Sequence, residues 1–99
     1  MKIDFSRRGS GKTSKSIYEA EKLDAYIAVI DWKEAIRVFQ QAKKMGLSIK
    51  FPITFDELYR RDYHAPGVRK VIIDNADQFI QRLLPDVSVE MLTLTEEPQ

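Results

Sequence analysis

The 99-residue chain contains no cysteine, a single histidine (His64) and a single tryptophan (Trp32). Disulfides and thiolate metal sites are thereby excluded, and so is a histidine metal cluster. Glycine and proline are scarce, at four each, and no internal repeat or low-complexity segment is present. Net charge is nearly absent: 16 basic against 15 acidic side chains leave +1 at neutral pH. That is too little to steer the whole molecule towards nucleic acid or a membrane surface. No apolar run approaches the length of a membrane span, and the N-terminus lacks the basic-then-apolar layout of a secretory signal. The expectation is a cytoplasmic chain with one core and no room for a second domain or a lid. One domain is expected over residues 1–95, with a disordered tail at 96–99.

What is present is an alternation of strand and helix patterns. Residues 1–6 predict a first strand, and residues 12–23 a helix with Ile17, Ala20 and Leu23 as its apolar stripe. The continuous run from Ala25 to Ile30 predicts a strand buried on both faces. Asp31 and Glu34 predict a capping box that opens a helix to about Met45, its inner face formed by Trp32, Ala35, Ile36, Phe39 and Ala42. Gly46 is its stop. A short edge strand is expected at Leu47–Phe51, before Pro52. Thr54 and Glu57 frame a second capping box for a short helix through about Arg61, and residues 62–68 read as a loop. Arg69–Asp74 predicts another buried strand, Ala76–Leu84 a helix ended by Pro85, and Val87–Thr95 a final strand.

This order implies an α/β fold: three layers, α/β/α, around a mainly parallel sheet of about five strands. Ligands of such sheets sit beyond the C-terminal ends of the strands. Arg7–Thr13, Asp31, Asp74–Asp77 and Thr93 or Thr95 are expected to gather there.

Two segments at that edge carry chemistry. Ser6-Arg7-Arg8-Gly9-Ser10-Gly11-Lys12-Thr13 joins the first strand to the first helix. A loop so placed turns backbone N–H groups inward on a polyphosphate, which makes Arg8, Gly9, Ser10, Gly11, Lys12, Thr13 and Ser14 the candidate phosphate-binding residues. Lys12 would reach the β- and γ-phosphates, and the Thr13 hydroxyl would take a Mg²⁺ site. Downstream, Val71-Ile72-Ile73-Asp74 ends an apolar strand in a carboxylate, which can orient Mg²⁺, often through water. A strand followed by an N-cap Asp has the same sequence.

Together these segments resemble the Walker A and Walker B motifs of P-loop NTPases, and the resemblance covers most of the chain. Within that superfamily the chain looks most like the ATPase branch with RecA-like helicases and AAA proteins. Val71–Phe79 (VIIDNADQF) is similar to the helicase stretch in which Asp-Glu-Ala-Gln follows an apolar strand. Thr54-Phe55-Asp56-Glu57-Leu58 is similar to the Thr-Phe/His-x-x-Leu segment of those helicases, and Met91–Thr95 to the sensor strand. The small size is similar to that of P-loop proteins carried by bacteriophages and prophages. The resemblance implies a truncated P-loop core that binds ATP with Mg²⁺, the metal held by Thr13 and Asp74.

The chain departs from the pattern at two points. Ser6 stands where the loop usually begins with Gly or Ala. Asn75 stands where the ATPase branch places the glutamate that polarises the attacking water, and an amide can orient water but not take its proton. Asn75 and Asp77 are the candidate catalytic residues, with Glu57 as another carboxylate within the motifs. The implied activity is nucleotide binding with slow or partner-dependent hydrolysis. The alternative is an interaction module that keeps the fold without hydrolysis and meets a protein, a second copy or single-stranded nucleic acid. A small nucleotide or nucleoside kinase would need an acceptor pocket and lid, for which no segment is assignable.

Other residues have two readings. Arg7 and Arg8 are solvated loop arginines or extra phosphate contacts. Asp31 is a helix cap, or a metal-water ligand. Trp32 packs in the core or stacks on a base. Tyr59, Arg60, Arg61, Tyr63 and His64 interleave aromatic and basic side chains as nucleic-acid grooves do. Arg60, Arg61 or Arg82 is a candidate arginine finger in an oligomer.

Overall fold

Tyr26-Ile27-Ala28-Val29 has no charged or amide side chain to present to water, and the fold buries all four. In the computed structural model, which describes Ile3, residues 11–65 and residues 67–95, this segment is strand β1, the centre of a parallel sheet. Strand β2 (Ile53–Thr54) lies on one side of it and β3 (Val71–Ile73) on the other. The register sets Ala28 opposite both Ile53 and Ile73. The three strands therefore end together, at Val29, Thr54 and Ile73.

Helices cover both faces, because alternate side chains of β1 point opposite ways. Ile27 and Val29 meet helix α1 (Lys12–Leu23) through Ile17 and Ala20, and helix α2 (Trp32–Lys44) through Ala35, Val38 and Ala42. Tyr26 and Ala28 meet Ile53 and Phe55, the latter opening helix α3 (Phe55–Arg60). Helix α4 (Ala76–Leu83) buries no residue completely and rests on this second cluster through Phe79. The α/β class and the parallel sheet are as expected from the sequence.

Helix ends follow their local signals, except that the box expected at Asp31 and Glu34 forms only one of its two bonds, because the Glu34 carboxylate goes to Arg37. Gly11 precedes α1 at φ 81°, a left-handed conformation open to glycine. The Asp31 carboxylate accepts the Glu34 N–H at 2.8 Å. At α3 the box is reciprocal: Thr54 Oγ1 accepts the Glu57 N–H at 3.2 Å, and Glu57 Oε1 accepts the Thr54 N–H at 3.1 Å. Glu57 also receives the His64 N–H at 3.0 Å and the His64 ring at 2.5 Å. Burial pushes the Glu57 pKa up, but these hydrogen bonds outweigh it and hold the group below its ordinary value.

Five sequence expectations need correction. The strand expected to be buried at Arg69–Asp74 lies at an edge of the described sheet, with Val71 38 % and Ile73 36 % exposed. Val38, not Ile36, completes the α2 core, because positions 35, 38 and 42 share the buried stripe while Trp32 and Ile36 are half-exposed. The strand expected at Leu47–Phe51 forms no ladder; Leu47, Ile49 and Phe51 turn onto the first core cluster, and pairing starts only after Pro52. Leu23 lies exposed at the end of α1. Val87–Thr95 forms no strand. There Gln81 claims the backbone, donating to Leu84 O at 3.1 Å and Val87 O at 2.5 Å and accepting from Val89 N at 3.0 Å. Its apolar alternation also changes phase between Met91 and Leu92, so no single face could be buried. The sheet thus has three strands among the described residues, not five. The strand expected at 1–6 lies outside the described residues except for Ile3, which is half-buried and in no strand. The tail 96–99 also lies outside them.

Candidate functional site

The most deeply buried carboxylate among the described residues sits at the C-terminal edge of the sheet. Asp74 follows β3 directly and is 4 % exposed, its N–H bonded to Ala28 O at 3.2 Å. It caps no helix. The N-cap of α4 is Asn75, whose φ of 63° is a left-handed conformation that asparagine tolerates better than most residues. The sharp turn at Asn75 leaves Asp74 facing the first turns of α1. Thr13 Oγ1 donates to one carboxylate oxygen at 3.4 Å, and Ser16 Oγ to the other at 3.3 Å. Lys12 Nζ donates to Asn75 Oδ1. Lys12, Thr13, Asp74 and Asn75, some sixty positions apart in sequence, thus meet at one edge.

Burial raises the Asp74 pKa above the ordinary carboxylate value. The Lys12 charge and the Ser16 and Thr13 hydroxyls oppose the rise, and the negative charge of Glu34 adds to it. A folded-state pKa above the unfolded one means that the native protein binds this proton more tightly. Ionised Asp74 therefore costs stability, with no cost below the unfolded pKa and the full cost once pH exceeds the folded one. Asp74→Asn should accordingly raise the Tm of the nucleotide-free protein at pH 7, and the gain should vanish at acid pH, both measurable by thermal unfolding.

Beside Asp74 a cleft of about 170 Å³ opens between α2 and α4, lined by Glu34, Arg37, Asp74, Asn75 and Gln78 over the end of β1 at Val29. Arg37 is bound to Glu34 through Nε at 2.5 Å and through Nη2. Its Nη1 donates to Gln41 at 3.2 Å, and Gln41 donates to Ser14 Oγ at 3.0 Å. The Glu34 hydrogen bond and the charges of Glu34 and Asp74 outweigh burial and hold the Arg37 pKa above its usual value. A polar ladder along one flank of α2 therefore ends on the first turn of α1.

Of the sequence candidates, Gly11, Lys12, Thr13, Ser14, Asp74 and Asn75 lie at this edge. Arg8, Gly9 and Ser10, with Ser6 and Arg7, lie outside the described residues. Asp77 is exposed in the first turn of α4 and does not line the cleft. Glu57 is committed to Thr54 and His64. Thr93 and Thr95 are exposed on the unpaired C-terminal segment. The sequence alone did not single out Ser16, Glu34's side chain, Arg37, Gln41 or Gln78 for this edge. Only the spacing of Glu34, Arg37 and Gln41 along one helix flank hinted at it.

The aromatic and basic candidates divide. Trp32, 50 % exposed, stacks on Phe51 at 5.7 Å between centroids and meets His64 at 5.0 Å. Tyr63 packs on the second core cluster, while Tyr59, Arg60, Arg61 and His64 of the interleaved run are exposed, His64 being held by Glu57. Arg82 pairs with Asp56 at 3.1 Å.

Among the described residues no three His, Asp or Glu side chains cluster as a metal site. Mg²⁺ at a phosphate needs no such cluster, because one or two protein oxygens, the phosphates and water complete its shell. Thr13 and Asp74 are a donor pair of that type. No helix among the described residues is long and apolar enough to cross a membrane. No protein-family model matches the chain, and no curated protein or solved structure is significantly similar to it.

Proposed function

We propose that this chain is a minimal P-loop domain of the ATPase branch that binds ATP with Mg²⁺ and hydrolyses it slowly, or only when a partner assists. One observation carries the proposal: Asp74 is buried at a stability cost and faces Thr13 and Ser16, although a cap or a surface ion pair would have been cheaper. Buried carboxylates held at such a cost mark functional sites more often than chance. In the loaded site the backbone of Arg8–Thr13 would cradle the phosphates, Lys12 would move from Asn75 to the β- and γ-phosphates, and Thr13 and Asp74 would hold Mg²⁺. Asn75, released, would orient a water. The metal would supply charge neutralisation at the transferring phosphoryl group.

Calorimetry and thermal shift with ATP, ADP and GTP, with and without Mg²⁺, test this. Mg²⁺–ATP at a hundredfold excess over Kd should stabilise the fold by about 2.7 kcal/mol. No binding at millimolar nucleotide would sink the proposal. The exposure of Tyr59, Arg60 and Arg61 favours a second reading, an interaction module for single-stranded nucleic acid. A salt-dependent mobility shift with single-stranded DNA, from a protein that ignores nucleotide, is the result expected of it.

A further inference from the structure

Glu34 has a carboxylate that its place in the sequence does not account for. At the third position of α2 it should turn back on the N-cap as its counterpart Glu57 does at α3. It gives only its backbone N–H to Asp31, and its carboxylate runs the other way, to Arg37 at the wall of the 170 Å³ cleft. Asp74 and Asn75 line the same cleft, and Lys12 is bonded to Asn75. Of the other carboxylates described at this edge, Asp31 accepts the Glu34 N–H and Asp74 faces Thr13 and Ser16. Asn75 cannot take a proton, Asp77 lies outside the cleft, and Glu57 is occupied at its cap.

We propose that Glu34 is the general base of the site and that Arg37 is the cation that holds it in reserve. This rests on the nucleotide-binding function proposed above. A water in the cleft attacks the γ-phosphorus and gives its proton to Glu34 as the new P–O bond forms. The bond from the γ-phosphorus to the β,γ-bridging oxygen breaks, and that oxygen keeps the electron pair and leaves on ADP. Inorganic phosphate departs, and the proton passes from Glu34 to solvent. Arg37 holds the Glu34 carboxylate through Nε and Nη2, both on Oε1. The γ-phosphate competes for that guanidinium, and the ladder through Gln41 to Ser14 connects the pair to the phosphate-loop helix. The base is freed only when the site is filled.

The test pairs Mg²⁺–ATP calorimetry with single-turnover phosphate release. Glu34→Gln keeps the backbone bond to Asp31 and can still accept from Arg37, so the empty variant should melt as wild type does and bind Mg²⁺–ATP with wild-type affinity. Its release rate should fall by about 10²–10⁴, the usual contribution of a positioned base. Sodium formate should restore part of the rate to Glu34→Ala, since a small carboxylate can enter the space left, but none to Lys12→Ala. Two results overturn the proposal while leaving nucleotide binding standing. One is a wild type that binds but releases no phosphate, and the other is Glu34→Gln turning over at the wild-type rate. A wild type that binds no nucleotide overturns the functional proposal itself.

Discussion

Phe55→Ala should destabilise the protein by about 3–5 kcal/mol, the range for emptying a buried aromatic position. Phe55 is 1 % exposed, the largest fully buried side chain among the described residues. It is the hub of the second core cluster, between Ala28 and Ile53 of the sheet and Leu58, Tyr63 and Phe79 of the outer layer. Its ring meets Phe79 edge-on, with centroids 5.1 Å apart and planes at 75°, a geometry that adds to simple area burial. Helix α4 has no fully buried residue of its own, so little else anchors it. The 160 Å³ hollow between α3 and α4, lined in part by Phe55, Phe79 and Leu83, would widen rather than collapse. A domain of this size has roughly 5–15 kcal/mol in total, so much of the margin would go. Urea unfolding should show a lowered midpoint, whereas Tyr59→Ala on the exposed side of α3 should stay within about 0.5 kcal/mol. A Phe55→Ala midpoint equal to wild type would mean that the second layer is not packed as described.

Lys12→Ala should leave the empty fold nearly unchanged and weaken Mg²⁺–ATP binding by about 10–100-fold. A hydrogen bond to a charged group contributes about 1.5–3 kcal/mol, and 1.4 kcal/mol is a factor of ten in affinity. Lys12 is half-buried and serves only Asn75 Oδ1 among the hydrogen bonds described for it. Its loss there removes one bond at a site that water can reach. It also removes the charge that partly relieves Asp74, which should make Asp74 easier still to protonate. Calorimetry of the variant, with circular dichroism to establish the fold, separates the two effects. Unchanged nucleotide affinity would remove Lys12 from the binding machinery and favour the interaction-module alternative.

Much of the fold was legible in the sequence wherever the signal was local. The helix starts at Lys12, Trp32, Phe55 and Ala76 follow from glycine, caps and turn residues that act within four positions. The burial of Tyr26–Val29 follows from the absence of any charged or amide side chain in it, and the meeting of Lys12 and Thr13 with Asn75 and Asp74 from motif order along an α/β alternation. Errors fell where a local pattern had more than one tertiary outcome. Leu47, Ile49 and Phe51 alternate as a strand does, but their partner is a helical layer and not a neighbouring strand. Val87–Thr95 has the composition of a strand and no face that could be buried. Asn75 looks like a lost glutamate in sequence, while in the fold it is the residue that allows the left-handed turn.

The sequence by itself determined the class of fold, the buried run Tyr26–Val29 and the starts of the helices. These depend on backbone preferences and apolar period, which neighbouring residues decide among themselves. Tertiary structure alone decided that Asp74 is buried against Thr13 and Ser16, that Lys12 rests on Asn75, and that Glu34 abandons its cap for Arg37 at the cleft wall. Those outcomes depend on which side chains compete for the same few donors once the strand ends and helix starts are brought to one edge. Desolvation, which raises the free energy of an ionised carboxylate, exists only after the chain has closed around it.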